Sequence, residues 1–224
     1  MRGTVPPDPL VSATLGARWF DAMMRRRARE IAARSGLAAA LPREGLLLDI
    51  GAGLGHLAEA VLAEAPGRRC LGLDPRWSPP APLAARLRAQ MPGRLGWIRG
   101  DGMAIPLAEG AVDGVWIAFV LHHLPPDTQR AVLAEARRVL RAGGVFALLE
   151  DTPRDGAERA RTERADRRLN FEPADLPHHY RAPGEWPALL AAAGLSERRR
   201  VSFRRIFPPA SLRPVQHTGY ICAG

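Results

Sequence analysis

The chain of 224 residues is long enough for one domain that buries about 70% of its unfolded surface without disulfide or metal staples. Its 32 basic residues are all arginine and outnumber 23 acidic ones, a formal net charge of +9 that favours an anionic partner. The sequence excludes a membrane-spanning helix (no run of about 18 apolar residues), a cysteine framework (Cys70 and Cys222 are the only cysteines) and a disordered chain (46% hydrophobic).

Residues 1–14 read as a flexible tail, because Pro6, Pro7 and Pro9 oppose regular structure. The tail also lacks the apolar core of a secretory signal, so a cytoplasmic location is expected. Over 15–45 the apolar positions Leu15, Trp19, Phe20, Met23, Ile31 and Ala32 predict an amphipathic helix packed on the main body.

From residue 46 to 150 strands and helices alternate. Strands are predicted over Leu46–Ile50, Arg69–Leu73, Leu95–Ile98, Val112–Phe119 and Val145–Leu149. Helices are predicted over Leu57–Ala63, Leu83–Met91 and Thr128–Leu140, the last ended by Gly143-Gly144. Short apolar strands between helices mean a parallel sheet covered on both faces, with its site at the carboxyl ends of the strands. In 151–224 the pattern changes. An exposed helix with Ala157, Ala160 and Ala165 as its apolar positions is expected over Pro153–Leu169, and a second helix over Trp186–Ala193. Ser196–Phe207 and Val215–Cys222 then read as a closing, antiparallel pair of strands.

The charge is unevenly placed. Residues 46–150 carry 11 Arg and 10 acids, whereas each flank carries a net +4. The densest clusters are Arg25–Arg27 with Arg29, and Arg198–Arg200 with Arg204 and Arg205.

The first strand ends in Asp49-Ile50-Gly51-Ala52-Gly53-Leu54-Gly55. Such a strand-to-helix turn lets backbone approach a ligand. Its spacing is G-x-G-x-G, with His56 where a dinucleotide fingerprint needs a small residue. Asp49 beside the glycines would repel a pyrophosphate and suits an ammonium group. A P-loop fails for want of any lysine. Further acids close the next two strands: Asp74-Pro75, and Gly100-Asp101-Gly102-Met103. After the fourth come Phe119-Val120-Leu121-His122-His123. Acids and histidines gathered at strand ends are candidates for ligand binding and proton transfer.

These motifs, in this order over about 46–150, resemble the class I S-adenosylmethionine (SAM)-dependent methyltransferases, in particular the small-molecule, methyltransferase type 11-like branch. Val112-Asp113-Gly114-Val115 and Glu135–Gly144 fit the same branch. The resemblance implies an α/β, Rossmann-like, doubly wound seven-stranded sheet, mostly parallel with an antiparallel C-terminal strand, in one domain. It implies SAM as cofactor and S-adenosylhomocysteine (SAH) as product. On that basis Asp49, Gly51, Ala52 and Gly53 would meet the methionine moiety. Asp74 and Pro75 would meet the ribose, Asp101, Gly102 and Met103 the adenine, and Phe119 and Val120 would form the cofactor floor.

The acceptor side is expected from His123 and from His178, His179 and Tyr180 in the Pro-flanked segment 170–183, which could act as a lid. Neither histidine pair has an acid at ligand spacing and adjacent histidines point apart, so no metal is expected. After the fourth strand Ala118-Phe119-Val120-Leu121 replaces the Asn-Pro-Pro-aromatic motif of many nucleobase methyltransferases. The expectation is therefore O- or C-methylation of a small-molecule acceptor that the positive charge allows to be acidic. The alternative is a SAM-fold protein that binds nucleic acid or another anionic partner through its arginine flanks, including an RNA-directed methyltransferase.

Overall fold

A computed structural model describes residues 14–76, 81–170, 176–207 and 211–224. The expected tail lies, apart from Thr14, outside the described residues. Helix α1 (Thr14–Arg34) and the short α2 (Leu37–Ala40) precede β1 (Glu44–Ile50). Then follow α3 (His56–Ala63), β2 (Gly67–Leu73), α4 (Ala81–Gln90), β3 (Leu95–Ile98) and β4 (Val112–Ala118). A 3-10 turn at Leu121–His123 leads into α5 (Pro126–Val139) and β5 (Leu140–Asp151). The chain closes with α6 (Gly156–Asn170), α7 (Trp186–Ala192), β6 (Ser196–Phe207) and β7 (Ser211–Ala223).

The seven strands form one sheet in the order β3-β2-β1-β4-β5-β7-β6. Strands β1 to β5 pair in parallel, while β7 runs antiparallel between β5 and β6. The strand order reverses between β1 and β4, and in such sheets the crevice for a ligand opens there, at the carboxyl ends.

Period-two alternation assigns neighbouring residues to opposite faces. Leu48, Ile117 and Leu148 pack with Leu133 and Val139 of α5 and Trp186 and Leu190 of α7. Their neighbours Leu47, Trp116 and Ala147 pack on the other face with Leu37 of α2 and Val61 and Leu62 of α3. Full burial of each such side chain contributes about 1.5–3 kcal/mol relative to exposure.

Several expectations change. Helix α5 starts at Pro126, not Thr128, with a proline in its first turn where the missing N–H costs nothing. Strand β5 starts at Leu140, not Val145. Leu140 turns extended as the helix cap and pairs with Val112, so the glycines at 143 and 144 sit in a register shift within the strand rather than capping a helix. Trp19 is 62% exposed instead of packing inward, whereas Ile31 and Ala32 are buried as expected. In α6, Ala165 is buried as expected, but Ala157 and Ala160 face solvent and Glu158 and Thr162 are buried in their place.

Candidate active site

The loop after β1 folds across the end of β2. Gly51 and Ala52 donate their N–H groups to the Leu73 carbonyl, at 2.7 and 3.2 Å. Gly51 has φ +75°, and a Cβ there would lie 2.3 Å from Val120 Cγ2. Only glycine lets the loop and the β4 end approach this closely. At Gly53 (φ +52°) a Cβ would meet nothing within 4 Å. That side of the loop is open.

Asp74 faces the loop. Its Oδ2 accepts the Gly53 N–H (3.0 Å) and its Oδ1 accepts the Arg76 N–H (2.8 Å) across Pro75. Asp49 lies behind the loop, 2% exposed, and its Oδ2 has no hydrogen-bond partner among the described residues. Burial, reinforced by the nearby Asp74 charge, pushes the Asp49 carboxyl well above the usual range. Asp101 uses Oδ1 to accept the Met103 N–H (2.9 Å), which closes a local turn and leaves its other oxygen for a ligand. Met103 is 44% exposed, not core.

Phe119 is the one non-glycine residue with positive φ (+58°) among the described residues. A bulky side chain held there is strained, and such strain gathers at functional sites. Its N–H is anchored on the Leu149 carbonyl (2.8 Å). The Arg27 guanidinium lies 5.3 Å from its ring, and the His217 ring meets it edge-on at 5.3 Å.

A polar cluster adjoins this end of the sheet. Glu150, at the end of β5, is fully buried. Its Oε1 accepts the N–H groups of Val120 (3.1 Å) and Leu121 (2.7 Å), and its Oε2 meets His122 Nδ1 at 2.5 Å. Thus Glu150 holds the 3-10 turn that carries both histidines. His122 Nε2 lies 3.2 Å from Asp166 Oδ2, His123 Nε2 at 3.4 Å and His178 Nε2 at 3.7 Å from the same oxygen. Burial opposes charge on His122, but the Glu150 and Asp166 carboxylates prevail and hold its imidazolium well above the usual histidine range. Burial and the His122 charge push His123 down to about 3, so it is neutral at pH 7 and a weak base.

Tyr180 is buried and stacks on His122, at 4.8 Å and 16°. The segment that carries it is strapped down. His179 donates its N–H to the His122 carbonyl (2.6 Å), and Arg159 bonds the His178 carbonyl. His179 joins the cluster through its backbone.

Sequence reading found no acid near either histidine pair. Asp166 arrives from α6, 44 residues after His122, and the 3-10 turn lets both adjacent rings reach it. The sequence places Asp151 at the end of the fifth strand and Arg27 in an arginine cluster, but it does not show that Asp151 pairs with His217 or that Arg27 lies over Phe119. Asp151 ends β5 and lies in register with His217 in the middle of β7.

Residues 47–144 match the model of the methyltransferase domain family. Over 160 residues, 68% of this chain, the sequence is 35% identical to the ubiquinone/menaquinone biosynthesis C-methyltransferase UbiE of Dinoroseobacter shibae, covering 57% of that protein. It is 34% identical over 134 residues, 59% of this chain, to the demethylmenaquinone methyltransferase of Thermus thermophilus, covering 56% of it. The matched stretch therefore spans about half the length of these relatives. Residues 47–144 are thus a methyltransferase domain, in a chain with the fold of class I SAM-dependent methyltransferases.

The fold of the methyltransferase agrees. The Burkholderia thailandensis 1,6-didemethyltoxoflavin-N1-methyltransferase, solved with its substrate and SAH, superposes with a TM-score of 0.64. The superposition covers 99% of this chain and 92% of that one at 22% identity. The family's cofactor, SAM, fits the residues present. Asp49 Oδ2, buried and without a partner, matches an ammonium, the open side of Gly53 leaves room for a ligand, and exposed Met103 offers an apolar surface. No helix among the described residues is long and apolar enough to cross a membrane. The arginine flanks of the methyltransferase are engaged in part by its own acids. Arg25 pairs with Glu59 (3.0 Å), Arg34 and Arg205 with Glu30 (3.1 and 2.9 Å), and Arg200 with Glu197 (2.8 Å).

Proposed function

We propose that this cytoplasmic, single-domain protein transfers a methyl group from SAM to a small-molecule acceptor, at carbon or oxygen. The observation that carries the reading is the Asp74–Gly53 contact. It brings an acid and an open glycine loop together at the switch point of the sheet. The SAM sulfonium, when bound, supplies the electrophilic methyl. Asp74 accepts the ribose hydroxyls through lone pairs its two backbone bonds leave over. Asp49 compensates the ammonium, and Asp101 accepts from the adenine amine while Met103 packs on the ring. Gly51, Ala52, Pro75, Gly102, Phe119 and Val120 shape the surrounding walls. Orientation and exclusion of water supply much of the acceleration in such a displacement.

The C-terminal segment and α1 supply the acceptor side. His123 is neutral and too weak a base to take a proton efficiently near pH 7, so it positions the acceptor by hydrogen bonding. The His178–Tyr180 strap completes that wall. Arg27, in contact with Phe119, suits an acceptor that carries or develops negative charge at oxygen. A quinol-type ring has that character, and the ubiquinone/menaquinone activity of the relatives above favours it. The test is methyl transfer from labelled SAM into the host's metabolite extract. A single labelled small molecule is expected, and label found only in RNA or protein would overturn the small-molecule reading.

A further inference from the structure

The structure assigns a binding site for a divalent transition metal of the zinc type to His122, His123, Asp166 and His178. This inference shares His123 and His178 with the acceptor wall proposed above but does not rest on methyl transfer, and its test reads metal binding alone.

Three imidazole nitrogens surround one carboxylate oxygen. Nε2 of His122, His123 and His178 lies 3.2, 3.4 and 3.7 Å from Asp166 Oδ2. Ligand atoms of His122, His123 and Asp166 also lie within 4.8 Å of one another. Zinc bonds of about 2.0–2.2 Å at tetrahedral angles place neighbouring ligand atoms roughly 3.3–3.5 Å apart. For His122 and His123 the oxygen-to-nitrogen separations are close to that value, whereas His178 stands outside this group and joins it by rotating its ring inward.

The outer contacts favour the same atoms. Metal-binding histidines commonly donate their other ring N–H to an oxygen, which orients the ring. Glu150 Oε2 sits 2.5 Å from His122 Nδ1, and the Tyr180 hydroxyl sits 3.3 Å from His178 Nδ1. Asn170 donates to Asp166 Oδ1 at 3.2 Å, which leaves Oδ2 turned to the histidines. Three imidazoles and one carboxylate suit zinc and its neighbours rather than magnesium or calcium, which prefer all-oxygen sets. The contributing elements are separate in sequence: the turn after β4, α6 and the strap before α7. A metal would therefore pin the C-terminal segment to the core.

On binding, the proton that His122 Nε2 shares with Asp166 is released to solvent and the nitrogen lone pair goes to the metal. Calorimetry with ZnCl2 on the chelator-treated full chain should show one saturable equivalent. Co2+ in its place should give the intense visible bands of a tetrahedral centre. Asp166→Asn and His178→Ala should each weaken Zn2+ binding by more than tenfold. Glu150→Gln, which loosens the outer contact, should weaken it by about tenfold. His179→Ala, beside the set but outside it, should bind as the parent does. Circular dichroism of each variant separates loss of the site from loss of fold. Absence of saturable 1:1 binding by the folded parent, or Asp166→Asn and His178→Ala variants that bind as the parent does, would overturn the assignment and leave a hydrogen-bonded histidine cluster.

Discussion

Two carboxylates at the glycine loop carry opposite burdens. Asp74 is partly solvated, and its two backbone bonds are each worth about 1 kcal/mol at most. Asp74→Ala should therefore weaken SAM binding by about tenfold or more while the melting temperature moves little. Calorimetry beside a thermal scan checks both, and unchanged affinity would refute the ribose role. Asp49 is buried without a partner for Oδ2, and its folded-state pKa is raised. As pH rises past the ordinary carboxylate range, the unfolded chain loses this proton first. Stability of the SAM-free protein therefore falls with rising pH until the folded pKa is reached. Asp49→Asn removes that loss. It should melt higher than the parent at pH 8, with the difference shrinking toward pH 4, and it should bind SAM more weakly. A variant that melts lower at pH 8 would show that the carboxylate stabilises the fold.

The strand and helix pattern of 46–150 was legible because its strands are short apolar runs, and the first three stop at or next to glycine or Asp-Pro, where the candidate cofactor residues stand. What escaped notice lies in elements whose role depends on distant partners. The four-residue α2 is too short to show a period, and its place is fixed by Arg68 on β2. That buried guanidinium donates to the carbonyls of Ala38, Leu41, Pro42 and Val61 at 2.6–2.9 Å. Arg68→Ala strands these acceptors and should destabilise the fold by about 3 kcal/mol or more, measured by denaturant unfolding. A loss under about 1 kcal/mol would mean that water replaces the guanidinium. Helix α6 misled in another way. Its charges read as a solvated face, yet Glu158, Thr162, Ala165 and Asp166 fall at positions i, i+4, i+7 and i+8 and turn inward. A polar stripe at helical spacing is the signal for a helix that faces a site rather than a core. It was readable as a period but not as a destination.

Across the whole molecule the surplus charge sits outside the near-neutral core, on the two flanks that build the proposed acceptor side. Arg27 comes from α1, Asp166 from α6, and His217 from β7. Several other flank arginines are paired: Arg25 ties the N-terminal flank to buried Glu59 of the core, and Arg205 ties the C-terminal flank to Glu30 of the N-terminal one, where an exposed pair adds about 0–1 kcal/mol. The cofactor half was visible as motifs in sequence order, whereas the proposed acceptor half comes together only on folding. The cofactor half is also the part that a single titration decides. Calorimetry of the intact chain against SAM, SAH and NAD should give one saturable site for SAM and for SAH and no binding of NAD. Saturable NAD binding without SAM binding would contradict the account.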